Sequence, residues 1–311
     1  MRLRAAVMVL GLAMAVSNSW SADTSTNVSR LLSRANAGDL AAAFALGRAY
    51  EVGRGVEQDF SQAARWYQRA ADLGEPEAQT NLGNLYEQGK GVAKDEAMAL
   101  KWFLRAAAEG SAAGQNNLGC MYSEGSGGLR KDWAEAARWY GKAAAQKFPV
   151  AQSNLGHLLL HGLGVAQDLK AAARLFRAAA KQGYVPAEEA LALLYAHGTG
   201  VRQDMSESVK WNRVAIEHSS ARALNNLGFL YERGLGVPQD DALAADYYRR
   251  AAELGLPEGE YNLALMYAQG KGVPKDSEEA RRWQAKASAH GYASSSETKG
   301  EEVASYAPGT N

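Results

Sequence analysis

Residues 81–95 read NLGNLYEQGKGVAKD. An apolar rhythm of helical period runs into two glycines one residue apart, and an aspartate follows. Glycines so placed either frame a ligand loop or turn a structural corner. The rest of the chain decides between them. Residues 226–240 read NLGFLYERGLGVPQD and residues 262–276 read NLALMYAQGKGVPKD. A phosphate-binding loop is normally present once, whereas a corner that recurs is architecture. Lys90 is followed by Gly91 rather than by Ser or Thr, so a Walker-type loop does not fit either.

The tyrosine of the stretch sets a register: Tyr50, Tyr86, Tyr122, Leu159, Tyr195, Tyr231 and Tyr267. The intervals are 36, 36, 37, 36, 36 and 36 residues, the longer one arising from an extra residue in SEGSGGLRKD (123–132). An aspartate follows each corner: Asp59, Asp95, Asp132, Asp168, Asp204, Asp240 and Asp276. Within the second copy, Ala78, Leu82, Leu85 and Tyr86 share one helical face and define helix A. Gly89 stands where a helix C-cap needs a positive φ, and Gly91 lets the chain reverse. Asp95 is an N-cap for helix B, which buries Ala99, Trp102, Phe103, Ala106 and Ala107. Gln62, Glu135, Glu207 and Glu279, each three residues after its aspartate, predict a capping box. One such hairpin cannot bury both its faces, but stacked copies can. The expected fold is all-α: an α/α superhelical solenoid of seven 36-residue helix-turn-helix repeats. They span 38–73, 74–109, 110–146, 147–182, 183–218, 219–254 and 255–290.

The pattern A-x-x-N-L-G-x-L-Y-x-x-G-x-G-V-x-x-D-x-x-x-A-x-x-W-Y-x-x-A-A is nearly literal in copy two. It resembles the Sel-one-like repeat (SLR) family, a branch of the tetratricopeptide-like solenoids. The resemblance covers about four fifths of the chain. Copy five departs furthest, with Ala192 for the helix-A glycine and Ile216 and Ser219 for Ala and Gly. Copy four has Leu159 for Tyr and Leu175 for Trp.

The flanks read differently. Arg2 and Arg4, the apolar run Ala5 to Val16, and the small residues Ser19 and Ser21 predict a signal peptide, 1–21. Twelve apolar residues are too few to span a bilayer comfortably, so no stable membrane insertion is expected after its removal. Residues 22–37 predict an N-terminal capping segment, and the polar tail 291–311 predicts disorder. Lys+Arg and Asp+Glu balance at 34 each, so no basic surplus points to nucleic acid. Cys120 is the only cysteine, so no internal disulfide can form.

The resemblance implies that helix A lines a concave surface. Five asparagines, each five residues before the register position, would then form an amide row: Asn81, Asn117, Asn154, Asn226 and Asn262. Such amides suit an extended peptide backbone, or equally the backbones of neighbouring helices. The position two before the tyrosine varies: Arg48, Asn84, Cys120, His157, Leu193, Phe229 and Leu265. It predicts a groove that is polar in its first half and apolar around Leu193, Phe229 and Leu265, suited to a peptide or protein partner. The alternative for the three apolar residues is packing against the next copy.

His157, His161 and His197 share one face over two copies, yet Leu158 stands where an HExxH motif has its glutamate, and no fourth ligand is evident. No metal or cofactor is expected. SETK (296–299) lies in the polar tail without the partner motifs of a serine acyl-enzyme. No catalytic constellation emerges. The leading expectation is an exported, non-enzymatic protein–protein interaction scaffold. The alternative, implied by cysteine-rich relatives, is a cell-wall-related enzyme or penicillin- or peptidoglycan-binding protein. Those relatives carry a Cys pair in each repeat. A polysaccharide-export accessory protein is a third reading, also a scaffold.

Overall fold

The computed structural model describes residues 24–292, with side chains from 27 onward. The expected signal peptide and nearly all of the polar tail lie outside the described residues. Fifteen helices and no strand occur among the described residues. Helix α1 (Thr24–Asn36) comes first. Seven hairpins follow: α2 (Leu40–Val52) with α3 (Phe60–Asp72), α4 (Pro76–Gln88) with α5 (Glu96–Ala108), α6 (Ala112–Glu124) with α7 (Trp133–Ala145), and α8 (Pro149–His161) with α9 (Leu169–Ala180). The last three are α10 (Val185–His197) with α11 (Met205–Glu217), α12 (Ala221–Arg233) with α13 (Asp241–Glu253), and α14 (Pro257–Gln269) with α15 (Ser277–Ala289). The first helix of each pair is helix A, the second helix B. The fold is an all-α solenoid of seven repeats. The described residues divide into two compact units, the first ending at Gly114 and the second starting at Gln115.

The corner explains its own sequence. Gly89 ends α4 in the left-handed conformation, φ 68°, with its N–H on the Leu85 carbonyl. Gly91 is needed for a second reason. A Cβ there would lie 2.2 Å from the carbonyl carbon of Phe60, at the start of the preceding helix B. The same approach recurs at Gly164 against Trp133 and at Gly272 against Asp241. The second glycine is thus a stacking contact between repeats. Asp95 then caps α5, its carboxylate accepting from the Met98 N–H, an interaction worth about 1 kcal/mol.

The expected capping box does not close. Its returning bond would use the backbone N–H of the aspartate, but that group already donates to the tyrosine carbonyl of the same repeat. Asp132 donates to Tyr122 at 2.8 Å and Asp276 to Tyr267 at 3.0 Å. Glu135, Glu207 and Glu279 turn outward to Arg138, Lys210 and Arg282, at 2.6, 2.5 and 3.0 Å.

Inside five of the seven hairpins the helix-A glycine receives the second aromatic of helix B. A Cβ on Gly47 would meet the Tyr67 ring at 2.4 Å, on Gly83 the Phe103 ring at 2.5 Å, and on Gly228 the Tyr248 ring at 2.8 Å. Copy five carries Ala192 instead, and the facing residue is Asn212, not a ring; both are fully buried. At the equivalent positions copy seven carries buried Ala264 and an exposed Gln284. The rings anchor the cores. Tyr67 packs with Ala42, Leu46, Ala70 and Leu82 in the first unit. Tyr248 packs with Ala244, Leu263 and Met266 in the second.

Candidate partner-binding face of helix A

The tyrosine hydroxyls of helix B are buried, which pushes their pKa values far up, so each needs an acceptor. The residue just after the register tyrosine supplies one. Tyr67 donates to Glu51, and Tyr248 donates to Glu232 at 2.9 Å. Tyr140 donates to the thiol of Cys120 at 3.3 Å and lies 3.5 Å from the hydroxyl of Ser123. Where helix B offers Phe176 or Asn212, the residue after the register position is Leu160 or Ala196, although copy two keeps Glu87 with Phe103. Cys120 is therefore a packing partner of Tyr140 and Asn116.

The asparagine row mostly joins side chain to side chain. Asn154 donates to Asn116 of the preceding repeat at 3.0 Å, and Asn262 donates to Asn225 at 2.8 Å. Asn81 acts to lower the pKa of the Tyr67 hydroxyl against the larger effect of burial, and Asn117 accepts from Asn116 at 3.3 Å. Asn226 departs from the expected groove position: it is 6% exposed and lies 3.4 Å from Asn212. With an amide where its neighbours have a ring, copy five offers Asn226 an internal partner.

The variable column is also less open than its sequence implies. Leu193 and Phe229 are half-buried and pack on the cluster of Ala196, Val209, Leu227 and Leu230. Phe229 reaches the next cluster, with Leu263 and Met266, as well. Leu265 is exposed at 38%. Stacking on the following repeat withdraws the first two, and among the described residues no further repeat covers Leu265. The continuous apolar patch is thus reduced to Leu265 with the outer edges of Leu193 and Phe229.

His157 stands edge-on to the Phe176 ring at 4.9 Å and parallel to His161 at 6.5 Å. Burial, and then His161, lower the pKa of His157; burial lowers that of His197. Among the described residues, no three His, Cys, Asp or Glu side chains gather as a metal donor set.

Two histidines that sequence reasoning passes over make the more telling contacts. His218 lies 2.9 Å from the fully buried Glu188, and His290 lies 2.9 Å from Glu260. Burial pushes the Glu188 carboxyl up, against the opposing pull of the His218 hydrogen bond. The same two register positions hold Gln115 with Gln146, and Gln152 with Gln182. Pairing the columns seven before and about 23 after the register tyrosine is the signal that would have found them.

The Sel1 repeat family matches the chain seven times, at residues 40–75, 76–111, 112–148, 149–184, 185–219, 221–256 and 257–292. The chain belongs to the Sel1-repeat family. A protective antigen present in uropathogenic Escherichia coli strains, of SLR fold, is 36% identical with a TM-score of 0.72. The match covers 87% of this chain and 58% of that one, so this protein spans little more than half of that relative's length. A Sel1 repeat protein from Oxalobacter formigenes is 34% identical with a TM-score of 0.67, over 86% of this chain and 77% of that one. No curated protein matches the sequence. Sel1-repeat proteins are commonly protein–protein interaction scaffolds and are generally non-catalytic.

Proposed function

We propose that this protein is an exported, non-enzymatic scaffold that holds a protein or peptide partner on the A-helix face of its repeats. The observation that carries the reading is the column two before the register tyrosine. Where the fold dictates a residue, the repeats keep it or change its contact partner with it. This column instead runs through Arg48, Asn84, Cys120, His157, Leu193, Phe229 and Leu265 at one structural position. Variation that packing does not require fits a surface that reads a partner. Export is supported by Arg2, Arg4 and the apolar run that follows them. Among the described residues no helix is long and apolar enough to cross a membrane.

The test is affinity capture by the full chain from envelope and culture-supernatant fractions, read by mass spectrometry. A reproducible protein lost on Asn262→Ala/Leu265→Ser, with far-UV circular dichroism unchanged, supports the reading. Capture unaffected by that variant refutes a helix-A site in the second unit. Turnover of a chromogenic cephalosporin would refute the non-enzymatic assignment.

A further inference from the structure

The balanced net charge conceals a segregation. Residues 136–187 carry seven Lys or Arg and one acidic residue, Asp168. That carboxylate is already engaged, accepting from the Ala171 N–H as the cap of α9. Helix α9 holds Lys170, Arg174 and Arg177, and Lys181 is its C-cap residue. The intervals of four, three and four residues place all four cations within one stripe, about 16 Å long. Lys170, Arg174 and Lys181 are exposed. Arg177 donates to the Tyr195 hydroxyl at 2.7 Å, a neutral partner that orients the guanidinium and leaves its charge uncancelled.

Exposed cations are ordinarily just solvated, but α9 differs from its equivalents. Every other helix B contains at least one carboxylate: Asp72, Glu96, Glu135, Glu207, Asp241 and Glu278 are examples. Helix α9 contains none, and among the described residues none of its four cations is ion-paired. Like charges three and four apart disfavour a helix, and Lys170 in the first turn also opposes the helix dipole. The like-charge spacing works against the helix that carries it, although Arg177 in the last turn and Lys181 at the C-cap suit the dipole at that end. On the neighbouring B helices the charge is muted, because Arg138 pairs with Glu135 and Lys210 with Glu207.

We infer that the outer face of α9 is a docking surface for an acidic helical segment of a protein partner. The inference rests on the protein-binding reading and names the partner's chemistry. Carboxylates repeating every third or fourth residue on an opposed helix match the stripe charge for charge. A nucleic acid fits less well, because the aromatic positions of this helix B hold half-buried Leu175 and fully buried Phe176, leaving no ring for a base to stack on. A lipid surface fits less well because no exposed large apolar residue lies on α9 to insert.

The experiment uses the full chain and a fluorescein-labelled alanine-based helical peptide bearing glutamates at intervals of four, three and four. Binding is followed by fluorescence anisotropy. Saturable binding that weakens between about 50 and 200 mM salt is expected. Lys170→Glu/Arg174→Glu/Lys181→Glu should weaken it by about tenfold or more, whereas Arg65→Glu/Arg69→Glu on α3 should change it by less than about twofold. Lys170→Gln/Lys181→Gln gives an intermediate loss and serves if the reversals disturb folding. No saturable binding, or equal binding by the α9 variants, overturns the inference. So does tighter α9-dependent binding of duplex DNA or phosphatidylglycerol vesicles. A natural partner captured equally by wild type and the α9 variant overturns this surface while leaving the protein-binding reading intact.

Discussion

Gly228→Ala tests whether the helix-A glycine exists to admit the facing ring. The new Cβ would lie 2.8 Å from two ring carbons of Tyr248 and 3.2 Å from the Ala244 carbonyl oxygen. Carbon atoms in good contact are about 3.5–4.0 Å apart, so the ring must retreat by about 0.7 Å or more. It has little room to do so. Tyr248 is 1% exposed, its hydroxyl is tied to Glu232, and Glu232 is held by Lys271 at 2.8 Å. Overpacking of this kind costs about 1–3 kcal/mol, offset by up to about 1 kcal/mol from the better helix propensity of Ala. In a Tyr248→Asn background the collision is gone, and Gly228→Ala should become neutral or stabilising.

Urea unfolding of wild type, both single variants and the double variant, followed by far-UV circular dichroism, measures the coupling. The cavity and the lost Glu232 hydrogen bond caused by Tyr248→Asn occur on both sides of the cycle and cancel. The expected coupling is about 1–3 kcal/mol in favour of the Ala–Asn pair, the pair copy five already has at Ala192 and Asn212. The converse holds in copy five, where Asn212→Phe should be tolerated better with Ala192→Gly than alone. Additivity within about 0.5 kcal/mol in both cycles would refute the steric coupling.

Three further outcomes follow from the corners and from one buried pair. Gly74→Ala meets no atom within 4 Å and carries only the penalty of φ 92°, about 1 kcal/mol, whereas Gly91→Ala drives a Cβ into backbone and should lose about 3 kcal/mol or more; equal losses in urea titrations would refute the stacking role of Gly91. Lys147 and Ser219 hold φ 64° and 67° where the other repeats use glycine, so Lys147→Gly and Ser219→Gly should each stabilise by about 0.5–1 kcal/mol, and a lowered urea midpoint would contradict this. Glu188 is pushed above 4.5 by burial, so the native state binds more protons than the unfolded chain from pH 4.5 up through its raised pKa, and its contribution to stability is lost as pH rises across that window. Glu188→Gln/His218→Gln, which copies the Gln–Gln pairs of copies three and four, should remove that dependence; a wild-type stability that instead rises with pH relative to the double variant would reverse the assignment.

The period, the corners and the aspartate caps are legible because each repeat states them again in fixed register. The capping box was not, since its N–H is taken by a tyrosine carbonyl nine or ten residues earlier, a contact that only the folded corner creates. The asparagine row was ambiguous for a related reason. An amide reads the same whether it faces a ligand or another amide, and the cross-repeat partners Asn116 and Asn225 lie more than 36 residues away. Leu193 and Phe229 look like a patch in sequence and are largely withdrawn by stacking, while Leu265 is not. The stripe on α9 escaped notice because a whole-chain balance of 34 against 34 averages it away.

A repeat protein carries its own comparison set, and this chain separates two kinds of variation. The first kind is compensated. Glycine gives way to alanine where the facing ring becomes an amide, as at Ala192 and Asn212. Buried Glu188 comes with His218 and buried Gln152 with Gln182, although buried Gln79 of copy two turns to the Ala71 carbonyl instead. Such changes keep the interior satisfied and say nothing about function. The second kind is uncompensated. Cys120, His157 and Leu193 share a register position but contact, respectively, a tyrosine hydroxyl, a phenylalanine edge and an aliphatic cluster. The α9 cations likewise replace a mixed pattern on the other B helices without acquiring carboxylate partners. The fold accommodates each of these without requiring it, and on the proposed function the choice among them belongs to a partner. That places the search for a partner on the variable column of helix A and on the outer face of α9, and away from the corner glycines.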